Sequence, residues 1–164
     1  MPLNKEGIAQ LKADLRSHAR SYEQETFGRV RKVGNCGTEC CIAGLCLMRT
    51  IGYEAFTALV RSLDSEAAFS EAYEAFSERC LIAGAQQLGL SSPNLAEWAT
   101  GEDMPDIFNT YDSWPADLTC AMDEAEVADD YAAKVEVACQ ALDRMDDMGN
   151  LSYKMCQEDD DAVK

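Results

Sequence analysis

Apolar residues in this chain recur at every third or fourth position over most of its length, and that period admits one kind of element. Ile8, Leu11, Leu15, Ala19 and Tyr22 fall on one helical face, as do Val127, Tyr131, Val135, Ala138, Leu142 and Met145, because residues at these intervals stack one above another in a helix. Alternating β-branched runs are missing, while Ala, Glu, Leu and Met, all good helix formers, dominate. The pattern predicts an all-α fold: a single compact domain of six or seven helices over residues 1–155, with a short acidic tail at 156–164. A chain of 164 residues can bury about two-thirds of its unfolded surface, so it needs no disulfides to fold.

Local signals set the expected boundaries. Asn4 reads as the cap of a first helix running to about Thr26. "FGRVRKVGN" then reads as a basic loop, Thr38 as the cap of the run "ECCIAGLCLMRTI", and Gly52 as its stop. Helices follow over Tyr53 to Leu63 and from a Ser65 cap to Gly89, with a short turn of helix after Ser92-Pro93. "GEDMPDIFNTYDSWP" reads as an irregular connection. A long helix is expected from Pro115 or Asp123 to Met148, stopped by Gly149. The core is expected to include Leu11, Leu15, Ile42, Leu45, Phe56, Leu59, Phe69, Phe76, Val127, Tyr131, Val135 and Leu142.

Charge narrows the partners. The net charge is −16 and it is unevenly placed: residues 1–50 carry eight Lys/Arg against five Asp/Glu, residues 51–100 two against seven, and residues 101–164 four against eighteen. A field of that sign repels nucleic acid and anionic membranes and attracts basic proteins. Asp123, Glu126, Asp129, Asp130, Glu136, Asp143 and Asp147 follow helical spacing opposite the apolar stripe of the expected 123–148 helix, with Glu102, Asp103 and Asp106 upstream. Such a row recurs with each helical turn of about 5.4 Å and can imitate nucleic-acid phosphates. The plain alternative is a solvated face. The N-terminus has no apolar signal core and no apolar stretch approaches membrane-spanning length, so a cytoplasmic protein with reduced thiols is expected.

Four of the eight cysteines lie in "CGTECCIAGLC" at 36–46. Their spacings of three, zero and four residues differ from the paired C-x₂-C knuckles of zinc sites, and adjacent cysteines on a helix do not share a face. No metal or other cofactor is expected. A cysteine at a helix N-terminus could be an activated nucleophile, but the only histidine, His18, lies on an amphipathic helix beside Arg16 and Arg20 and makes a poor candidate base. An anion site is the better alternative: Arg29, Arg31 and Lys32 precede Gly37 and Thr38, where a helix start would offer free N–H groups to a phosphate or nucleotide. "DEAEVADD" lacks the glycine and closing glutamate of a calcium loop.

"CGTECCIAG" at 36–44, "GAQQLGLS" at 84–91 and "IFNTYDSWP" at 107–115 together resemble a set of small phage, prophage and bacterial proteins marked by CGT-x-x-CIAG, a later LGL, and LF followed by WP. The resemblance spans roughly residues 33–120 and assigns Cys36, Gly37, Thr38, Cys41, Ile42, Ala43 and Gly44 to the shared motif. Leu45 follows, where the relatives often place Trp or His. The resemblance implies a tight turn packed on a helix that Ala43 and Gly44 let another helix approach. It also implies a phage setting, in which small acidic proteins block host machinery.

These readings combine into one expectation: a non-enzymatic acidic protein, phage-encoded, whose acidic helix face blocks a basic, nucleic-acid-handling host protein without itself binding nucleic acid or membrane. The alternatives are a small-anion-binding protein using the 29–38 loop and a structural phage protein.

Overall fold

The computed structural model describes residues 3–19, 22–24, 29–30, 38–63, 71–90 and 104–151, with 29–30 and 38–39 described as backbone. The fold is all-α. Six α-helices lie among the described residues: α1 (Lys5–Ser17), α2 (Ile42–Ile51), α3 (Tyr53–Leu63), α4 (Glu71–Leu88), α5 (Ala116–Val127) and α6 (Tyr131–Arg144). A two-residue antiparallel ladder, Arg29–Val30 with Thr38–Glu39, stands beside them.

The centre is α2. Its opening run Ile-Ala-Gly-Leu-Cys-Leu-Met is apolar on every side, and every one of those residues is buried, as a helix without a polar face must be. It packs on α4 and is flanked by α3 and α1, while α5 and α6 form a hairpin whose second helix lies along α1. Phe56 of α3 and Phe76 of α4 meet as a tilted pair with ring centroids 5.8 Å apart, a geometry suited to aromatic quadrupoles. Gly52 ends α2 at a φ of +93°, a conformation that disfavours any side chain.

Several boundaries hold. Asn4 caps α1, its side-chain oxygen accepting from the Gly7 N–H at 3.0 Å. The α3 limits match, and Gly89 follows α4 with a positive φ. Eight of the expected core residues are buried, from Leu11 and Leu15 to Val135 and Leu142. Leu59 packs at the edge of the core, and Phe69 lies outside the described residues, as do the Ser65 cap, the Ser92-Pro93 turn and the 156–164 tail.

Other expectations are corrected. The first helix stops at Ser17, and Tyr22 then enters a bridge with Cys40. The second does not begin at Thr38, which lies in the ladder. It begins at Ile42, after Cys41. The expected 123–148 helix is two helices. Asp129 adopts a left-handed φ of +53°, which aspartate tolerates better than most residues, and Asp130 then caps α6 by accepting from the Ala133 N–H at 3.0 Å. The break turns Val127 outward, so this expected core residue is 90% exposed. Tyr131 is only half-buried. The hairpin's second helix ends at Arg144, short of Met148, and Gly149 instead serves the turn that returns the chain to pair Met145 with Leu151.

The segment 104–115 is ordered by its surroundings. Two 3₁₀ turns, Asp106–Phe108 and Tyr111–Ser113, are joined by Trp114, whose Nε1 donates to the Asp106 carbonyl at 2.7 Å. The Phe108 ring fills the space left by Gly84 of α4, where an added Cβ would lie 2.6 Å from it. Gly84→Ala is therefore expected to cost about 1–3 kcal/mol by overpacking, read as a lower midpoint in urea unfolding. Adding Phe108→Leu should recover part of that loss, and an unchanged midpoint for the single variant would contradict the contact.

Candidate protein-binding face

The expected acidic row is divided by the helix break and by the cations of α1. Glu136 and Asp143 lie along the α1–α6 seam. Arg16 donates to both Glu136 oxygens at 2.9 and 3.0 Å, and Lys12 reaches Asp143 at 2.7 Å. The Arg16 hydrogen bond holds the Glu136 carboxyl below its ordinary range. Arg144 does the same for Asp117, donating to Oδ1 at 2.9 Å. Two more of the expected site residues have internal work: Asp130 caps α6, and Asp106 accepts from the Leu151 N–H at 2.9 Å. These carboxylates do not form one continuous face.

Glu126 belongs to a buried charge cluster. Lys134, only 5% exposed, lies 3.0 Å from both Glu23 and Glu126. Burial alone would lower the Lys134 pKa, but the hydrogen bonds to the two glutamates outweigh it and raise it. An ammonium desolvated this far needs such partners, since removing one leaves an uncompensated charge inside.

What remains outward is smaller and local. Asp123 is exposed and accepts from the Tyr111 hydroxyl at 3.1 Å. Glu124 and Asp129 are exposed beside it on α5 and the α5–α6 turn, and Asp112 is exposed on the turn that carries Tyr111. None of the four has an ion pair among the described residues. Asp147 is exposed in the turn after α6. Glu102 and Asp103 lie outside the described residues. Sequence reasoning passed over Asp112 and Glu124, although Glu124 directly follows Asp123 in the chain and both are exposed.

The helix start on which the anion-site alternative draws is corrected. Arg31, Lys32, Cys36 and Gly37 lie outside the described residues, and Arg29 and Thr38 contribute ladder backbone, not a helix start. The true N-terminus of α2 is closed by protein: Cys41, Ile42 and Ala43 are buried, and the Ile42 N–H points to Gln24 Oε1 at 3.4 Å. Gln24 itself is buried, its Nε2 donating to the Ile107 and Asn109 carbonyls at 3.0 and 2.8 Å. Ala43 and Gly44 are buried in α2. Glu23 and Gln24 carry no signal in the sequence, lying in the polar stretch SYEQET, and Lys134 carries only that of a polar residue among apolar ones.

Most of the described thiols are interior: Cys40, Cys41, Cys46, Cys80 and Cys139 are buried, and Cys120 is exposed. Burial pushes the Cys41 thiol up to about 11 and raises those of Cys46, Cys80 and Cys139. Protonated thiols are poor nucleophiles and poor metal ligands. Among the described residues no three His, Cys, Asp or Glu side chains are placed to hold a metal ion, and no helix is long and apolar enough to cross a membrane. His18, exposed, ends α1 with its Nδ1 3.2 Å from the Asp14 carbonyl.

Compared with family models, with curated proteins and with solved structures, the chain has no match. The CGT-x-x-CIAG resemblance therefore rests on its motifs alone. In the fold, α2, which carries most of the CIAG portion, meets the two later pieces: Gly84 packs on Phe108, Gln87 Nε2 donates to the carbonyl of Cys46, beyond the motif, at 2.6 Å, and Gln24 joins Ile42 to Ile107.

Iodoacetamide labelling mapped by peptide mass tests this placement of the thiols. In the native protein Cys120 is expected to label, with Cys40, Cys41, Cys46, Cys80 and Cys139 protected until guanidinium is added. Rapid native labelling of Cys41 would contradict it.

Proposed function

We propose that this protein is a non-enzymatic acidic binding protein that engages a basic, nucleic-acid-handling host protein through the outer face of α5 and the α5–α6 turn. One observation carries the reading: Asp123, Glu124 and Asp129 stay exposed with no ion pair among the described residues, whereas Lys12, Arg16, Lys134 and Arg144 are paired to other carboxylates. In a chain of net charge −16 an unneutralised patch repels itself, and a cationic surface relieves that repulsion and is steered toward it. The resemblance to phage and prophage proteins supports the same class of role. The buried, protonated thiols and the lone exposed histidine give no support to nucleophilic catalysis.

The reading differs from a continuous phosphate-like ladder in which residues it assigns to contact. Glu136 and Asp143 belong to the α1–α6 seam and Asp130 to a helix cap, so altering them tests folding before it tests binding. Asp129 is best changed to asparagine, which also tolerates its left-handed backbone.

Capture from host lysate at low and at high ionic strength, with bound proteins identified by mass spectrometry, tests the assignment. The wild type is expected to retain a basic protein at low salt and release it as salt rises, because exposed charges are screened within about 10 Å at 0.1 M. The combined variant Asp123→Lys, Glu124→Lys, Asp129→Asn should lose that protein, and Glu136→Gln should keep it. Undiminished capture by the combined variant would overturn the proposal.

A further inference from the structure

Between the start of α1 and the end of α6, the surface opens into a cavity of about 330 Å³. This is at the small end of the roughly 300–1,000 Å³ seen for ligand sites, which combine an apolar lining with a few placed polar groups. Its apolar lining includes Ile8, Leu142 and Met145, and its charged lining is Lys5, Lys12 and Asp143.

The charges there are not balanced internally. Lys12 gives one N–H to Asp143 at 2.7 Å, and an ammonium has three to give. Lys5, exposed, has no carboxylate partner among the described residues, in a chain with thirty Asp/Glu against fourteen Lys/Arg. It is also the first residue of α1, where the helix dipole adds positive potential. Two ammonium groups over an apolar wall match a molecule with a negative head and a hydrocarbon body. A neutral apolar molecule would leave Lys5 unused, and an inorganic anion would make no use of the apolar part of the lining.

We propose that this cavity binds a small amphiphilic anion, of the medium-chain carboxylate class, with its carboxylate between Lys5 and Lys12 and its chain against Ile8, Leu142 and Met145. The site shares no residue with the acidic face of α5 and stands or falls separately from it.

Octanoate is a suitable probe, titrated into the full chain and followed by methyl NMR. Saturable shifts confined to Ile8, Leu142 and Met145 are expected, with octanol at least tenfold weaker. Lys5→Gln, an exposed substitution that spares the fold, should reduce octanoate to the octanol level, and Lys5→Arg should retain binding. The proposal is overturned by shifts that do not saturate or that spread over the whole core, by equal affinity for octanol, or by unchanged octanoate affinity in Lys5→Gln.

Discussion

The side-chain amide of Gln24 is the interaction on which the rest of this fold depends. It is 4% exposed, yet its whole hydrogen-bonding capacity is used. Nε2 donates to the Ile107 and Asn109 carbonyls, and Oε1 accepts from the Tyr22 hydroxyl at 3.0 Å and from the Ile42 N–H. A buried amide left unpaired costs about 1–3 kcal/mol for each group, whereas a fully satisfied network is rigid and specific. Through these four bonds the start of α2 is fixed to the 104–115 segment, whose own backbone forms only short 3₁₀ turns. The neighbouring Glu23 extends the link to Lys134 of α6, and Lys134 to Glu126 of α5. Three consecutive residues, Tyr22, Glu23 and Gln24, thus tie together the central helix, the irregular connection and the terminal hairpin.

That arrangement separates structural chemistry from surface chemistry. The described part of the cysteine-rich motif faces inward, its thiols raised by burial and the N-terminus of its helix occupied by Gln24, so its side chains are committed to packing. Carboxylates divide in the same way. Those near α1 and α6 hold the helices together through Lys12, Arg16 and Lys134. Asp123, Glu124 and Asp129, on α5 and its following turn, have no ion pair among the described residues and are where the negative field meets solvent. Exposed ion pairs such as Arg16 with Glu136 contribute little individually, but they determine which carboxylates remain for a partner.

Much of the helical framework was legible because its signals are local. Asn4 before an apolar-periodic run, Gly52 and Gly89 after one, and Pro115 before another each act within a few residues. The α5–α6 break was not, because Asp129 and Asp130 look like two more solvated acids in an acidic helix, and only the left-handed turn and the cap at Ala133 distinguish them. The period places Val127 in the core for the same reason: a phase read across a break points the wrong way. Thr38 resembled a cap, but the ladder with Arg29–Val30 is a pairing across the chain that no local pattern contains. The same holds for the candidate face. The exposed acids could be listed from the sequence, but which were neutralised depended on contacts between α1 and α6 more than a hundred residues apart.

Hydrogen–deuterium exchange on Gln24→Leu, compared with the wild type, tests the central claim most directly. If this amide is the tie, residues 42–48 and 107–110 should lose protection together, although they are far apart in the chain, while 135–142 in α6 should keep more of theirs. Unchanged protection in either of the two joined segments would contradict the account.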